Sequence, residues 1–504
     1  MARYVMANRR SGRFSQAEKL ASRESISRFM SSSFLSGADV LARNQPRHET
    51  SRQLVLFEAK PEEVAAKISS LPEDVIVEPE IIHHRLDFYR PLDFLGISRQ
   101  SAPAFPLQTV GNMTTFSVEV KSGSTSLPKA EVILFLRFLG NDRQLTATTD
   151  SDGKASLVFP RSWSASALIV IPAGNYWPMV KRGPSDFTVV DCPPLPDANN
   201  SLGWWHNKLG IDNLDLDLGT GIKVGVIDSG VGPHPFLSHV TSIGAFIDSN
   251  FDANGGADVD NHGSHVCGTI GARPSDVNAF AGIAPGVDLF SARVFPKDRG
   301  ANQLDIANAI DELSLEQDVD LINMSLGAPV GSQVEQDAIK DALETGTLCV
   351  CAAGNSNGRV EFPAAFDETV AVAAIGRLGW SPDGSIPSTR LPLERARFGS
   401  DNLYHANFSC FGSEITCAAP GVGIISTVPA SNGLKRPYAS MGGTSMASPA
   451  ACGALAVALS RSSIYQSLPR DLTRSQMALQ ILRRISQSIG LAMDYEGQGM
   501  PDLS

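Results

Sequence analysis

The sequence predicts an α/β fold: a doubly wound parallel sheet preceded by a small α+β piece and an all-β sandwich module. Three observations predict it. From residue 203 onward, continuous apolar runs alternate with helical patterns, as expected when strands are buried on both faces of a parallel sheet. Between about 108 and 190, short alternating segments are separated by turn residues, the pattern of a sandwich. Between 52 and 82, a strand–helix–strand pattern stands by itself.

Bulk properties bound the function. The 504 residues leave room for roughly three domains of ~150 residues each. With 42% hydrophobic and 19% charged residues, most of the chain is expected to be globular. A net charge of −11 argues against a nucleic-acid partner, which calls for a basic face. No run approaches ~18 uninterrupted apolar residues, so no membrane span is expected. Arg9-Arg10 with Phe14 faintly resembles a twin-arginine signal, but Ser15, Gln16, Glu18 and Lys19 follow where an apolar core is required. A cytoplasmic location is therefore expected. The seven cysteines agree with it. Their number is odd, they follow no disulfide framework, and Cys267, Cys349, Cys351, Cys417 and Cys452 lie in apolar runs as reduced thiols do. Cys349-Val350-Cys351 reads as alternating faces of one buried strand.

In chain order, residues 1–50 are rich in Ser and Arg and are predicted as a mobile tail with a short helix near 38–42. Residues 51–90 hold strands at 54–57 and 75–77 around a helix at 61–69 that opens on Pro61. By itself that could be any ferredoxin-like fragment. The sandwich at 108–190 has strands at 116–120, 132–138, 146–149, 155–159 and 168–171, with turns at Asp152-Gly153 and Pro172-Ala173-Gly174. It resembles small immunoglobulin-like or transthyretin-like modules, and a spacer or protein-docking role is expected for it. Residues 191–202 are a linker by composition. The domain at 203–504 has strands at 222–227, 288–294, 320–323, 348–352 and 370–374, and helices at 262–270, 302–315 and 334–344. Functional side chains in such sheets gather at the carboxyl ends of strands.

Four stretches carry the chemistry. Val224-Gly225-Val226-Ile227 runs into Asp228, an aspartate at the end of a buried strand. His262 begins the small-residue helix His262-Gly263-Ser264-His265. Asn355 follows Cys351-Ala352-Ala353-Gly354. Ser445 lies in Gly442-Gly443-Thr444-Ser445-Met446-Ala447-Ser448-Pro449, with Pro449 expected in the first turn of the following helix. Free N–H groups at a helix start favour the negative charge that attack by a serine creates. Each stretch alone has a plain reading as a cap or turn. Their order, Asp, His, Asn, Ser, does not.

On these residues, together with Asn323-Met324-Ser325-Leu326-Gly327, Phe362-Pro363-Ala364, Ala418-Ala419-Pro420-Gly421 and Gly497-Gln498-Gly499, the region 203–504 resembles the subtilisin-family (subtilase) serine proteases. The resemblance implies a serine endopeptidase acting on a polypeptide substrate. Ser445 would be the nucleophile, His262 the base, Asp228 the residue orienting the imidazole, and Asn355 an oxyanion donor. It implies an extended substrate between Ser325-Leu326-Gly327 and Arg299-Gly300-Ala301, with Ala352-Ala353-Gly354 walling the pocket for the residue before the cleaved bond. Small walls suit a large apolar side chain. The 51–90 piece resembles the family's propeptide, which implies an in-cis inhibitor, a latent enzyme and cleavage near residues 83–90.

The remaining readings follow. A Gly-x-Ser-x-Gly hydrolase is excluded by Ala447, and the acid-active sedolisins by His262 and Asn355. No cofactor is expected. Some members bind calcium, but Asp252, Asp258 and Asp260 read as a solvated loop, and His262 with His265 lacks an acidic third metal ligand. His234 and His239 are taken as non-catalytic. Cys267 and Cys452 stand where alanine is usual, which suggests thiol sensitivity, and residues 377–405 read as an inserted surface loop. The alternative function is a catalytically silent binding or scaffold protein on the same fold.

Overall fold

The computed structural model describes residues 1–8, 38–44, 52–71, 74–86, 112–430 and 434–504. The tail reading for 9–37 and 45–50, and a cleavage point within 87–90, lie outside the described residues.

The first described residues are not a tail. Strand β1 (Ala2–Asn8) pairs antiparallel with β3 (Leu54–Ala59) and β4 (Val75–Pro79), and β2 (Asp39–Arg43) adds to the outer edge of β3. The sheet order is β2-β3-β1-β4. The helix expected at 38–42 is thus a strand, because pairing with β3 outweighs the local preference of Ala-Asp-Val-Leu-Ala. Helix α1 (Pro61–Ile68) opens on proline as expected. Side chains alternate across this sheet. Tyr4, Met6, Val55, Phe57 and Val75 face α1 through Val64, while Val5, Ala7, Leu54, Leu56 and Ile76 join the core of the large domain. Strand β5 (Ile82–Arg85) leaves the sheet and belongs to another.

The sandwich consists of two sheets. One is β10 (Lys154–Pro160), β6 (Met113–Ser122) and β13 (Phe187–Asp191), with β7 (Thr125–Ser126) beside β6. The other is β12 (Met179–Arg182), β11 (Ser164–Ile171), β8 (Glu131–Phe138) and β9 (Asn141–Thr148). Phe116, Val118, Val120, Val132, Leu134, Leu168 and Val170 fill the space between them. The outer face of β8 and β11 packs on Ile386, so residues 377–405 form a docking surface for the module as well as a loop.

In the large domain, α2 (Trp204–Lys208) precedes a nine-stranded sheet. Its strands β14 (Lys223–Asp228), β15 (Thr241–Ile247), β16 (Asn250–Asp252), β17 (Asp288–Arg293), β19 (Leu321–Met324), β21 (Leu348–Ala352), β22 (Val370–Arg377), β23 (Leu403–His405) and β24 (Ile415–Pro420) are mostly parallel and, apart from β15 and β16 at one edge, mostly buried. Short strands β18 (Ala301–Asn302) and β20 (Leu326–Gly327) lie outside it, as does the hairpin of β25 (Ile424–Thr427) and β26 (Tyr438–Met441). Helices α3 (His262–Gly271) and α6 (Thr444–Ser460) pack on each other and on the sheet. Helices α4 (Gln303–Leu315) and α5 (Gln333–Glu344) pack as a pair, and α7 (Leu472–Ile485) lies against α5 and α6. Buried on both faces, the parallel strands need no alternation, which is why they are continuous apolar runs in the sequence.

Candidate active site

Asp228 is the last residue of β14 and His262 the first of α3. The imidazole Nδ1 lies 2.7 Å from Asp228 Oδ1, and both side chains are buried. The same carboxylate oxygen accepts from the Ser229 N–H at 2.6 Å. The turn before α3 is capped by carboxylates: Asp258 accepts from the N–H groups of Asp260, Asn261 and Ser264, and Asp260 from that of His262 at 3.1 Å. Asp258 and Asp260 are therefore structural caps, which corrects their reading as a solvated loop. Burial pushes the Asp258 carboxyl above its ordinary range. Only Asp252 of the three is exposed.

Ser445 is the second residue of α6. Pro449 is not in the first turn but inside the helix, and without an N–H it leaves the Ser445 carbonyl without its i+4 donor. The Ser325 hydroxyl donates to that carbonyl at 2.9 Å, and the Ser445 hydroxyl donates to the Ser325 carbonyl at 3.0 Å. Asn355, just beyond β21, accepts on Oδ1 from both the N–H and the hydroxyl of Thr444, each at 2.9 Å. Those two bonds leave its Nδ2 free to donate to the Leu86 carbonyl. Thr444 thus fixes the orientation of the Asn355 amide, a contact the motif alone does not reveal.

A main-chain oxygen occupies the spot so framed. The Leu86 carbonyl accepts from Asn355 Nδ2 and from the Ser445 N–H, the latter at 3.4 Å. At Gly443, with φ 153°, a Cβ would lie 2.2 Å from that oxygen, so only glycine leaves it room. Leu86 is held by the strand before it. β5 pairs antiparallel with β18 on one side (His83 opposite Ala301) and with β20 on the other (Arg85 opposite Leu326, His84 opposite Gly327). The Leu86 N–H donates to the Ser325 carbonyl at 3.4 Å.

Ser325, Leu326 and Gly327 thus flank one side of β5 and Leu86. On the other side the pairing is with β18. Ala301 and Asn302 form it and Gly300 lies against Ile82, while Arg299 turns its guanidinium to Asp248. Ala352, Ala353 and Gly354 are buried at the end of β21, and Gly354 adjoins Glu361. A Cβ on Gly327 would lie 2.8 Å from Leu86 Cδ1 and 2.9 Å from Glu361 Oε2, which puts a carboxylate beside the Leu86 side chain.

A family model described as the subtilase family matches residues 219–490. The chain belongs to the subtilase family. It is 35% identical over 295 residues to the major intracellular serine protease of Bacillus subtilis (strain 168), covering 56% of this chain and 81% of that protein. Over 291 residues it is 32% identical to the intracellular serine protease of Paenibacillus polymyxa, covering 56% and 79%. Subtilisin DY of Bacillus licheniformis is 31% identical over 268 residues, covering 52% and 83%. The protein is a subtilisin-like serine protease with an α/β fold.

In this subtilase the N-terminal domain has further anchors on the catalytic domain. Arg52, 1% exposed, pairs with Asp311 of α4 and Asp341 of α5. Glu78 accepts from the Ser332 hydroxyl and from the N–H groups of Gln333 (2.8 Å) and Val334 (3.3 Å), capping α5. Asn302 donates to Glu80 at 2.7 Å, and Gln303 exchanges bonds with Pro79 and Ile81. His265 Nε2 faces the carbonyls of Ile424 and Ala439, tying α3 to the β25–β26 hairpin, and burial lowers its pKa to about 3. His234 Nδ1 accepts from the Phe236 N–H. His239 is half-buried, and burial lowers its pKa to about 4. Among the described residues no group of three or more His, Cys, Asp or Glu is arranged to hold a metal ion, and no helix is long and apolar enough to cross a membrane. Cys267 and Cys452 are wholly buried, and burial drives both thiols up in pKa, which argues against the expected thiol sensitivity.

Proposed function

We propose that Ser445, His262 and Asp228 act as a catalytic triad, with Asn355 Nδ2 and the Ser445 N–H stabilising the oxyanion, and that residues up to Leu86 restrain the enzyme in cis as a substrate-like segment. The observation that carries this reading is the Leu86 carbonyl oxygen, bonded by both expected oxyanion donors at the end of a strand paired as substrate would be.

The chemistry follows from that placement. Asp228 holds Nδ1–H, which leaves Nε2 as the acceptor. On rotation away from the Ser325 carbonyl, the Ser445 hydroxyl gives its proton to Nε2 while Oγ bonds to the carbonyl carbon. The π pair moves onto the oxygen, where the two N–H donors meet it. Collapse breaks the bond to the next nitrogen, which leaves as an amine with the proton from His262. Water then releases the acyl group by the same route, returning Ser445. Applied to the chain itself, the bond cut is 86–87. The names of the two intracellular relatives support an intracellular setting for this enzyme.

A fluorophosphonate probe tests the assignment on the full chain. Labelling is expected at Ser445 in wild type, to be absent in Ser445→Ala, and to be about tenfold or more faster in Leu86→Asp, whose charge is poorly suited to the cleft. Asn355→Ala is expected to lower kcat on peptides by about 10²–10³-fold. Equal labelling of wild type and Leu86→Asp would refute the restraint, and labelling retained in Ser445→Ala would refute the nucleophile.

A further inference from the structure

We propose that the cleft selects polypeptides bearing a basic side chain at the second and fourth positions before the cleaved bond, read by Asp260 and Glu335 respectively. The inference rests on the reading that residues 83–86 lie as substrate lies. Counting back from Leu86, Arg85 is then the second position and His83 the fourth.

Main-chain pairing of β5 with β18 and β20 takes any sequence, so discrimination falls to the side chains. Arg85 forms an ion pair with Asp260 and stacks over the Phe295 ring, 5.3 Å from its centroid. Asp260 is fixed in place, because its other oxygen caps the His262 N–H. Both partners keep about a fifth of their side-chain surface exposed (22% and 23%), room enough for arginine or lysine. At the fourth position, His83 Nε2 lies 3.0 Å from Glu335 Oε2, and both side chains have no exposed surface. Glu335 sits in the first turn of α5, where the helix dipole favours a carboxylate. A carboxylate shut away from water is costly unless a cation or donor meets it, so an apolar occupant there is penalised and a basic one favoured. These two residues, one just before the helix of His262 and one on α5, make the cleft a reader of positive charge at alternate positions.

The test uses the full chain and internally quenched peptides spanning four residues on each side of one bond. The peptides differ only in carrying Arg, Ala or Glu at the second or fourth position. If wild type is not labelled by fluorophosphonate, the Leu86→Asp chain is used. Arg is expected to exceed Ala in kcat/KM by about 10–100-fold at each position, mainly through KM, with Glu below Ala. Asp260→Asn is expected to shrink the Arg-to-Ala ratio at the second position alone, and Glu335→Gln at the fourth alone. Equal kcat/KM for Arg and Ala peptides in a chain labelled at Ser445 would overturn the proposal, and this ratio decides even if a variant fails to fold. A chain that neither takes the probe nor cuts any peptide would instead overturn the catalytic reading, and this one with it.

Discussion

The two appended domains meet the catalytic domain by different means. The sandwich docks through aromatic and aliphatic surface: Trp177 stands edge-on to Trp380 at 6.0 Å, and Ile386 packs among Ile133, Phe135, Ala167 and Ile169. A few main-chain bonds add register, Val180 N–H to Gly384 and Ile386 N–H to Pro178, both at 2.8 Å. One face of its sheet shares the large core, and the N-terminal domain is held besides by the ion pairs of Arg52 and Arg85 and by the hydrogen bonds that Glu78 accepts. Apolar contact is indifferent to partner and favours permanence. Buried ion pairs gain little net energy when complete but cost a great deal when one partner leaves, so they specify a single docked position. That suits a segment placed once as substrate and then released.

The largest effect should come from Arg52→Met. Removing the guanidinium leaves Asp311 and Asp341 buried without it, which costs about 3–5 kcal/mol of docking. Labelling of Ser445 in the full chain should then rise by about 100-fold. Trp177→Ala should cost about 3 kcal/mol at the sandwich contact, visible as a lower melting temperature, while Ser445 labelling stays at the wild-type rate. If both variants accelerate labelling equally, the contrast between the domains is lost.

A smaller effect separates them by pH. Docking buries Glu78 and raises its pKa above the ordinary 4.5. The docked form therefore holds its proton more tightly, and this contact strengthens as pH falls and weakens as pH rises through the docked value. His206 and His265 run the other way for the catalytic domain, because burial lowers them from 6.5 to about 4 and about 3. Their stabilising contribution is full above pH 6.5 and lost as the unfolded chain takes up protons that the folded one refuses. From pH 7 towards 4.5, the melting temperature should drop by several degrees, while more of the cleaved N-terminal domain co-elutes with the catalytic domain.

Much of this was legible in the sequence, for identifiable reasons. Parallel strands such as β14 and β21 are buried on both faces, and their continuous apolar runs mark them along with the polar residues at their ends. Asp228, His262, Asn355 and Ser445 sit in compact segments because each needs a particular local turn. β1 was missed because seven residues ahead of a Ser/Arg-rich stretch become a strand only by pairing with residues about fifty and seventy positions on. Ile82-His83-His84-Arg85 carries no strand signal, since its partners are the walls of the cleft. Thr444, Asp260 and Glu335 look like ordinary helix-start residues until the chain is folded.

The central claim is that Leu86 occupies the cleft as the residue before a bond that Ser445 can cut. Intact-mass and N-terminal analysis of freshly purified and incubated chains tests it most directly. A new N-terminus at residue 87 is expected in wild type, and an uncut junction in Ser445→Ala. A wild-type chain cut elsewhere but never after Leu86, or a Ser445→Ala chain cut there equally well, would contradict it.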